Sequence, residues 1–522
     1  MIYQIYPRSF QDSNGDGVGD LAGIHARLDY LVDLGVDAIW LSPIFPSPMA
    51  DFGYDVADYC GVDPVFGDLA ALDALLDAAH ARGLKLMLDF VPNHTSDQHP
   101  WFIESRSSRD NPRCDWYIWR DPAPDGGPPN NWISDFGGSS WEWDETTGQY
   151  YLHAFLKEQP DLNWRNPEVR EAMSQVLRFW LDRGVDGFRI DVLWHIVKNE
   201  AFPDNPLNPD WTPLVRERDK LLQLHSTDQP EAHAISADMR RLADSYGDRL
   251  LVGELFLPNE ARARWYGTSE NPQVHLPFNF QLIEAEWNAR TLRQIIAEYE
   301  ASLPSFGWPN WVIGSHDMPR IAARVGEAQS RVAAMLLLTL RGTPTLYQGD
   351  ELGIGHVDIP PDRIRDPQHF RQPELDIGRD RSRTPMAWSD APFAGFSNVE
   401  PWLPLHRDWK TRNVAAQERD PGSLLQFYRQ LLRLRRQHEA LSIGAIRLTP
   451  ADADVLSFLR VHDEERLLVV LNLGGEDRGF SLPDGYRVSQ VLLSTLPTAP
   501  SSGEIGNCVR GNEGVILRLT AA

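Results

Sequence analysis

Two side chains at the end of a short apolar run have the types and the spacing to do chemistry together. The run GFRIDV occupies residues 187–192 and follows a helix-like segment that stops at a glycine. Residues two apart in a strand point to the same face, so the side chains of Arg189 and Asp191 should lie side by side. Because a guanidinium favours the charged form of a neighbouring carboxyl group, Asp191 should stay ionised and is a candidate nucleophile. A structural salt bridge at a strand end explains the pair equally well at this point.

Other apolar runs in the chain end in the same kind of residue. His94, Glu254 and the pair His316 and Asp317 each follow a short apolar stretch. A lone histidine at a strand end is usually a hydrogen-bonded polar residue and nothing more. Four strands that each deliver His, Asp, Glu or Arg to one end are more informative, because barrel enzymes work at the C-terminal face of their strands.

These residues supply three carboxylates, Asp191, Glu254 and Asp317, with no serine elbow, glycine-rich phosphate loop or CxxC pair. The set suits glycoside hydrolysis with retention, in which one carboxylate attacks the anomeric carbon and the other protonates the leaving oxygen. An apolar strand and nearby acids should raise the pKa of Glu254, as a general acid requires.

The elements that would position these residues alternate between short apolar strands and amphipathic helices. Strands are predicted at 1–6, 37–42, 84–91, 185–190, 249–254, 274–280, 310–315 and 344–348. Helices are predicted at 21–34, 67–82, 167–183, 231–247, 289–300, 326–341 and 423–438. Strands separated by helices in this way predict an α/β fold that closes into a (β/α)8 TIM barrel rather than an open sheet.

Two changes of pattern predict further domains. The segment 95–161 is rich in Trp, Pro, Gly and Asn and is too long for a plain loop, so we expect an irregular domain inserted after the third strand. From residue 443 short strands with turns predict a C-terminal antiparallel β-sandwich. The predicted domains are the barrel at 1–94 and 162–442, the inserted domain at 95–161 and the sandwich at 443–522.

Composition limits the kinds of partner. The 522 residues are 42% hydrophobic and 24% charged, which describes a globular protein of more than one domain. A net charge of −24 disfavours nucleic acid and anionic membranes and suits a small neutral substrate. We expect no membrane span or secretory signal. The three cysteines, Cys60, Cys114 and Cys508, lie far apart, which suggests free thiols and a cytoplasmic location.

The first loop of the chain is dense in oxygen-bearing side chains. Asp12, Asn14, Asp16 and Asp20 occupy positions one, three, five and nine of a pattern with intervening glycines. Together with the backbone carbonyl of Val18, this set predicts a structural Ca²⁺ site, or a Mg²⁺ site, that clamps the loop. The alternative is an Asx-turn loop that needs no ion, since the pattern lacks the bidentate glutamate of a calcium loop.

The motifs in combination resemble the α-amylase superfamily (glycoside hydrolase family 13), in particular its α-glucosidase and oligo-1,6-glucosidase branch. The segments 89–94, 187–192, 253–254 and 316–317 stand in the order and spacing of that family, and the resemblance spans essentially the whole chain. It implies Asp191 as the nucleophile, Glu254 as the acid/base and Asp317 as the carboxylate that grips the sugar hydroxyls.

The resemblance also implies a set of residues around one sugar-binding subsite. Tyr54 would be a stacking platform, and an ion pair between Asp51 and Arg383 would close the pocket. The other expected substrate contacts are His94, Phe155, Gln159, Arg189 and His316. Ser315 stands where the family usually has asparagine, and we expect a local change in hydrogen bonding there rather than loss of activity.

The function implied is a retaining, exo-acting α-glucosidase that releases glucose from short α-glucosides such as maltose and isomaltose, with transglucosylation as an accompanying reaction. A sucrose- or trehalose-acting relative of the same fold is the nearer alternative: a sucrose hydrolase, a trehalose synthase or a sucrose isomerase. A non-catalytic, transporter-associated homologue is the remote one, disfavoured because all three carboxylates are present. Monomer and dimer both remain open.

Overall fold

Eight short parallel strands form a closed barrel, which confirms the predicted fold class. The structure is a computed structural model that describes residues 1–496 and 507–522. The barrel strands, numbered here in chain order from first to eighth, are Ile2–Ile5, Ala38–Leu41, Lys85–Phe90, Gly187–Ile190, Leu250–Gly253, Leu276–Asn279, Asn310–Val312 and Thr343–Tyr347. Each pairs with its neighbours in sequence, and the first closes the barrel by pairing with the eighth, Ile2 opposite Thr345.

The register of three neighbouring strands brings the chemically interesting residues to one level. Asp89 of the third strand lies opposite Arg189 of the fourth, and Ile190 lies opposite Gly253 of the fifth. The residues that follow these strands therefore leave the barrel side by side at its C-terminal rim, which is the face where barrel active sites form.

Helices lie between successive barrel strands in the chain and also after the eighth strand. The longer ones are Leu69–Ala81, Pro167–Asp182, Pro230–Asp244, Ala289–Ser302, Glu327–Thr339 and Leu424–Gln437. Shorter ones are Leu21–Ala26, Leu28–Leu34, Pro100–Ser105, Asn259–Arg264, Gln281–Glu284, Ile321–Val325, Pro367–Arg371, Val414–Arg419 and Glu439–Ser442. The prediction of a single helix over 21–34 is wrong, because Arg27 at φ −108° and ψ 9° divides it into two.

The helix that precedes the fourth strand shows why its sequence folds locally as it does. Asn166 caps its N-terminus by accepting the backbone N–H of Glu168, and Pro167 occupies the first helical position. Gly184, at φ 95°, ends the segment and turns the chain into the strand that carries Arg189.

The segment between the third strand and helix Pro167–Asp182 forms a small unit of its own. It contains a three-stranded antiparallel sheet in which Gln149–Leu152 lies between Trp119–Arg120 and Trp141–Asp144. Aromatic side chains of this unit pack against Phe202, which belongs to the loop after the fourth barrel strand. The inserted unit is therefore anchored on the barrel face that carries the strand ends.

The C-terminal part is an antiparallel sheet of five strands, in the order Ala445–Leu448, Val455–His462, Glu465–Asn472, Gly514–Ala521, Tyr486–Ser494. A short ladder of Arg478–Gly479 with Cys508–Val509 lies against one face, where Phe480 and Val509 join the apolar core. Side chains of the other face belong to the barrel's own hydrophobic core. The predicted antiparallel domain is confirmed, although its residues 497–506 lie outside the described part of the chain.

Two negative findings apply to the described residues. No helix among them is long and apolar enough to cross a membrane. The three cysteines are free, with Cys508 exposed and the other two half-buried.

Gly187 begins the fourth strand at a point with no room for a side chain. A Cβ there would lie 2.1 Å from the carbonyl oxygen of Leu250 in the neighbouring strand. We expect Gly187→Ala to lower the free energy of unfolding by about 1–3 kcal/mol, the typical cost of overpacking. Gly355→Ala is the matched control, because a Cβ at Gly355 meets no atom within 4 Å. Equal denaturation midpoints for the two variants would contradict the prediction.

Candidate active site

A cavity of about 560 Å³ lies at the C-terminal rim of the barrel, between the barrel and the inserted unit. Most of the residues predicted from the sequence line it: Asp51, Tyr54, His94, Phe155, Gln159, Asp191, Glu254 and Asp317. The others, Arg189, His316 and Arg383, are buried behind the cavity wall, where they contact the lining carboxylates.

The Arg189 guanidinium is shared by three carboxylates. It donates to Asp89 at 2.8 Å and to Asp191 at 2.5 Å, and its other terminal nitrogen lies 2.7 Å from Glu254. Arg189 is only 2% exposed, so one buried positive charge stands among three acidic groups supplied by the third, fourth and fifth strands. This cluster has more acid than the guanidinium can neutralise.

The excess of carboxyl groups over positive charge determines the protonation of Asp191 and Glu254. Burial raises the pKa of Asp191, Arg189 opposes the rise, and the Glu254 and Asp89 carboxylates add to it. Burial likewise raises the pKa of Glu254, against the effect of Arg189. The expectation that Arg189 keeps Asp191 ionised is therefore incomplete, because burial and the neighbouring acids outweigh it. Such a pair shares protons and titrates as a unit.

The residue after the proposed nucleophile has an unusual backbone. Val192 adopts φ 36° and ψ 45°, a left-handed conformation that is rare for a β-branched residue. This turn directs the Val192 N–H to Glu254, whose Oε2 accepts it at 2.8 Å. The hydrogen bond favours the ionised form of Glu254 and so works against burial. The strained turn thus links the residue after Asp191 to Glu254. No sequence signal predicted this turn.

Asp317 has the opposite electrostatic environment. It accepts from Arg383 at 2.8 Å and from Arg379 at 3.4 Å. Burial opposes ionisation, but the Arg383 and Arg379 guanidiniums hold the pKa of Asp317 well below its usual range. Since burial also lowers the pKa of His316 to about 3, the imidazole is neutral and the two arginines supply the charge. Asp317 is therefore a permanent acceptor for hydroxyl groups.

The predicted ion pair between Asp51 and Arg383 is wrong. Asp51 accepts from Arg379 at 2.7 Å, and Arg379 is held in turn by Asp366 at 2.6 Å. Arg383 is fully buried, and its Nε donates to the carbonyl of His316 at 3.0 Å. The two arginines are four residues apart on one turn, so sequence spacing did not reveal which of them reaches across the pocket.

Arg379, Asp366 and Phe136 are the site residues that the sequence reasoning missed. The Phe136 ring lies 5.3 Å from the Arg379 guanidinium carbon and lines the cavity. A basic and an acidic residue directly after Gly378 were a usable signal for Arg379. Phe136 had none, because its role depends on where the inserted unit folds back.

Tyr54, His94 and Gln159 form a polar part of the cavity wall. Tyr54 stacks on His316 with ring centroids 5.5 Å apart at 10°, and its hydroxyl lies 2.7 Å from His316 Nε2. Gln159 Nε2 lies 3.1 Å from His94 Nε2. Burial lowers the pKa of His94 to about 4, so this ring is neutral above that pH. Ser315 Oγ accepts the backbone N–H of Asp317 at 3.2 Å, which is a purely local bond.

A buried lysine joins the inserted unit to the site. Lys198 Nζ donates to Asn93 at 2.7 Å and to the carbonyl of His195 at 2.5 Å, and it pairs with Asp161 at 2.5 Å. Asn93 and Asp161 lie at the two ends of the inserted unit, and His195 lies in the turn after Asp191. Lys198 therefore links both ends of the inserted unit to the turn that follows Asp191.

The family model described as the alpha amylase catalytic domain matches residues 4–444. A second model, the alpha-amylase SusG C-terminal domain, matches residues 455–505. A probable alpha-glucosidase of Rhizobium meliloti (strain 1021) is 42% identical over 498 residues, covering 92% of this chain and 90% of the relative. An oligo-1,6-glucosidase of Parageobacillus thermoglucosidasius is 38% identical over 532 residues, covering 95% and 93%.

Solved structures resemble the chain over its whole length. The crystal structure of the alpha-glucosyl transfer enzyme XgtA has a TM-score of 0.93 at 40% identity and covers 99% of this chain and 98% of its own. Trehalulose synthase MutB from Pseudomonas mesoacidophila MX-45 has a TM-score of 0.92 at 37% identity, with coverage of 99% and 98%.

The loop predicted to bind a cation is held by its own backbone. Asp12 accepts the N–H groups of Gly15 and Gly17, and Asp20 caps the next helix by accepting from Gly23. Within the described residues no three His, Cys, Asp or Glu side chains gather as a metal site. Any ion would therefore also need the Asn14 amide and the Val18 carbonyl. The donors are nevertheless all oxygen, which suits a hard cation.

We propose that this loop binds Ca²⁺ or Mg²⁺ through Asp12, Asn14, Asp16, the Val18 carbonyl and Asp20. An ion that binds only the folded state stabilises it by about 2.7 kcal/mol at about 100 times its Kd. Chelator should therefore lower the melting temperature of the protein, and Asp16→Ala should remove that response. Asp110→Ala, the same change on another exposed aspartate, should keep it. A chelator-insensitive wild type would count against the ion.

Proposed function

Since the chain belongs to the α-amylase family, glycoside hydrolase family 13, we propose that it is a retaining, exo-acting α-glucosidase. It would release glucose from the non-reducing end of maltose, isomaltose and short malto- or isomalto-oligosaccharides, with transglucosylation as an accompanying reaction. The observation that carries the proposal is the meeting of Asp191 and Glu254 on one guanidinium inside a walled pocket.

The geometry supports a double displacement. Both carboxylates contact one guanidinium, which favours the short separation of retaining enzymes, about 5–5.5 Å, over the wider one of inverting enzymes. When the pair holds one proton and that proton is on Glu254, the Asp191 carboxylate attacks the anomeric carbon while Glu254 gives its proton to the leaving oxygen. Glu254 then takes a proton from water, or from a sugar acceptor, which attacks the glucosyl ester and frees Asp191.

The far wall supports attack at a chain end. Asp51, Arg379 and Asp366 form a buried ion cluster, and the neighbouring Phe136 shields it from water. A buried ion cluster contributes shape more reliably than stability. Here it would stop the sugar chain after one glucose unit, whose hydroxyls would bind Asp317 and the surrounding cations and amides.

Val192 bears on the linkage preference. Val192 lines the cavity next to the nucleophile and offers methyl groups but no hydroxyl. A methyl group tolerates a flexible α-1,6 arm without leaving a polar atom unpaired. Since one neutral hydrogen bond is worth roughly 1 kcal/mol, Val192 would allow α-1,6 cleavage beside α-1,4 rather than impose it.

A second candidate is a sucrose-acting enzyme of the same family. The similarity to trehalulose synthase MutB over almost the whole chain favours it. The arginine-rich loop motif typical of sucrose isomerases is not visible after Asp317, where the sequence reads MPRI. Product analysis with maltose, isomaltose, sucrose and trehalose separates the two. The −24 charge and the free cysteines support a small neutral substrate and a cytoplasmic location.

The retaining mechanism predicts a particular first product and pH profile. NMR should show α-glucose first from an α-glucoside, and Asp191→Asn should lower kcat by about 10³-fold or more. Because burial raises the pKa of Glu254, the loss of kcat/KM with rising pH should begin above the ordinary glutamate value of about 4.3. Glu254→Gln should remove this alkaline limb, and it should lower kcat/KM less for substrates whose leaving group needs no proton than for maltose. β-Glucose as the first product would refute retention.

The closed pocket predicts a preference for short substrates. The wild type should hydrolyse maltose much faster than soluble starch at equal mass. Asp51→Asn should lower kcat/KM for maltose by about tenfold or more, since hydrogen bonds to charged groups are worth about 1.5–3 kcal/mol. Asp73→Asn is a control for the same change at a distant surface ion pair. Similar wild-type rates on starch and maltose would contradict the closed pocket.

A further inference from the structure

Three loops from separate parts of the chain meet at the wall of the pocket. They are the tip of the inserted unit at 134–138, the loop after the fourth strand at 216–219 and the segment 371–372 after the eighth strand. Their junction, called the clasp below, lies outside the acids that do the proposed chemistry.

Glu217 is the centre of the clasp. Its side chain accepts the backbone N–H of Gly138 at 2.9 Å, and its own backbone N–H donates to the Gln372 side chain at 3.0 Å. Beside it, Arg218 forms an ion pair with Asp135. Arg371 completes the junction by donating to the carbonyl of Gly137 at 3.0 Å. Glu217 thus contacts both other loops, although the residue itself is exposed.

The tip held by the clasp is a tight turn that contains two successive glycines. Gly137 and Gly138 have φ values of 84° and 77°, a conformation that favours glycine. A Cβ on Gly137 would lie 3.0 Å from Glu217 Oε2 and 3.3 Å from the Gln372 side chain. The fit is therefore tight. Ser134 closes the turn by donating its N–H to the Gly138 carbonyl at 2.9 Å and accepting from Gly137 N–H at 2.8 Å, so the clasp acts on the position of the whole turn rather than on its internal shape.

Phe136 lies directly before these glycines and covers Arg379. It is 4% exposed, and its carbonyl accepts from Arg371 at 3.3 Å. Arg379 is the residue that holds Asp51, Asp366 and, at 3.4 Å, Asp317. An apolar ring over this cluster excludes water, and ion pairs are stronger where water is excluded. Displacing the ring would hydrate and loosen the groups that receive the glucose unit.

We propose that Glu217 is a positioning residue: it holds the tip of the inserted unit closed, so that Phe136 stays on Arg379 and the glucose subsite keeps its shape. The inference rests on the proposed function for its substrate, a terminal α-glucosyl unit. Glu217 itself touches neither the sugar nor the reacting atoms, so its effect falls on the binding of glucose rather than on bond cleavage.

The test compares Glu217→Ala with Glu217→Gln, whose amide oxygen can still accept the Gly138 N–H. Glu464→Ala is the control for loss of an exposed negative charge, because Glu464 is fully exposed in the C-terminal sheet. For each full-length variant, KM and kcat are measured with p-nitrophenyl α-glucoside. The Kd of glucose is measured by calorimetry, and hydrogen exchange is followed in the peptide that contains 134–138.

Glu217→Ala should raise KM and the glucose Kd about three- to tenfold, as loss of one hydrogen bond implies, with kcat within about twofold. Exchange at 134–138 should become faster. Glu217→Gln and Glu464→Ala should both stay within about twofold of the wild type. Gln372→Leu, which removes the other link to Glu217, should reproduce the effect and replaces Glu217→Ala if that variant does not fold.

Several outcomes would overturn the proposal. Unchanged KM and Kd in Glu217→Ala would do so, as would a fall in kcat with unchanged glucose binding. An equal defect in Glu217→Gln would show that the hydrogen bond to Gly138 is not what matters. Failure of the proposed function is distinguishable, because it appears in the wild type as absent α-glucosidase activity, whereas glucose binding and exchange still report on the clasp.

Discussion

The buried guanidinium of Arg189 is the group on which the rest of the site depends. It is bonded to Asp89 and Asp191 and lies 2.7 Å from Glu254, so it holds the ends of three successive barrel strands together through charge. Burying an unpaired carboxylate is costly, and removing one partner of a buried pair leaves the other charge uncompensated. The cluster therefore needs the closed barrel, which brings the three acids to one cation. The carboxyl groups in turn can ionise during the reaction only because the Arg189 charge is next to them.

At Asp317 the balance between acidic and basic groups is reversed. Arg379 and Arg383 surround Asp317 and keep it ionised, whereas Asp191 and Glu254 share one arginine and resist ionisation. The two kinds of carboxylate fit two tasks, since a fixed anion can grip hydroxyl groups and a pair with displaced pKa values can exchange protons. The difference comes from the number of cations within reach and not from the type of acid.

The inserted unit and the loops around it give this electrostatic arrangement its dry surroundings. Lys198 links both ends of the unit to the turn after Asp191, and Phe136 at its tip covers Arg379. The left-handed backbone of Val192 is stable in this setting because a hydrogen bond to Glu254 and a packed neighbourhood hold it. Local strain and buried charge at the site are thus supported by packing that lies largely outside it.

The order of the barrel strands and the position of each acid at a strand end were determined by the sequence alone. Both depend on local sequence, because an apolar run followed by a charged residue predicts a strand with that residue at its end. Only the tertiary structure decided the partners. Asp51 and Arg379 are 328 residues apart, and the sequence predicted Arg383, four residues further on, as the partner. The fold instead buries Arg383 where its Nε donates to the His316 carbonyl. Long flexible side chains pair with the groups that the fold places near them, and their pKa values depend on those partners. The Val192 turn and the roles of Lys198 and Phe136 were invisible in the sequence for the same reason.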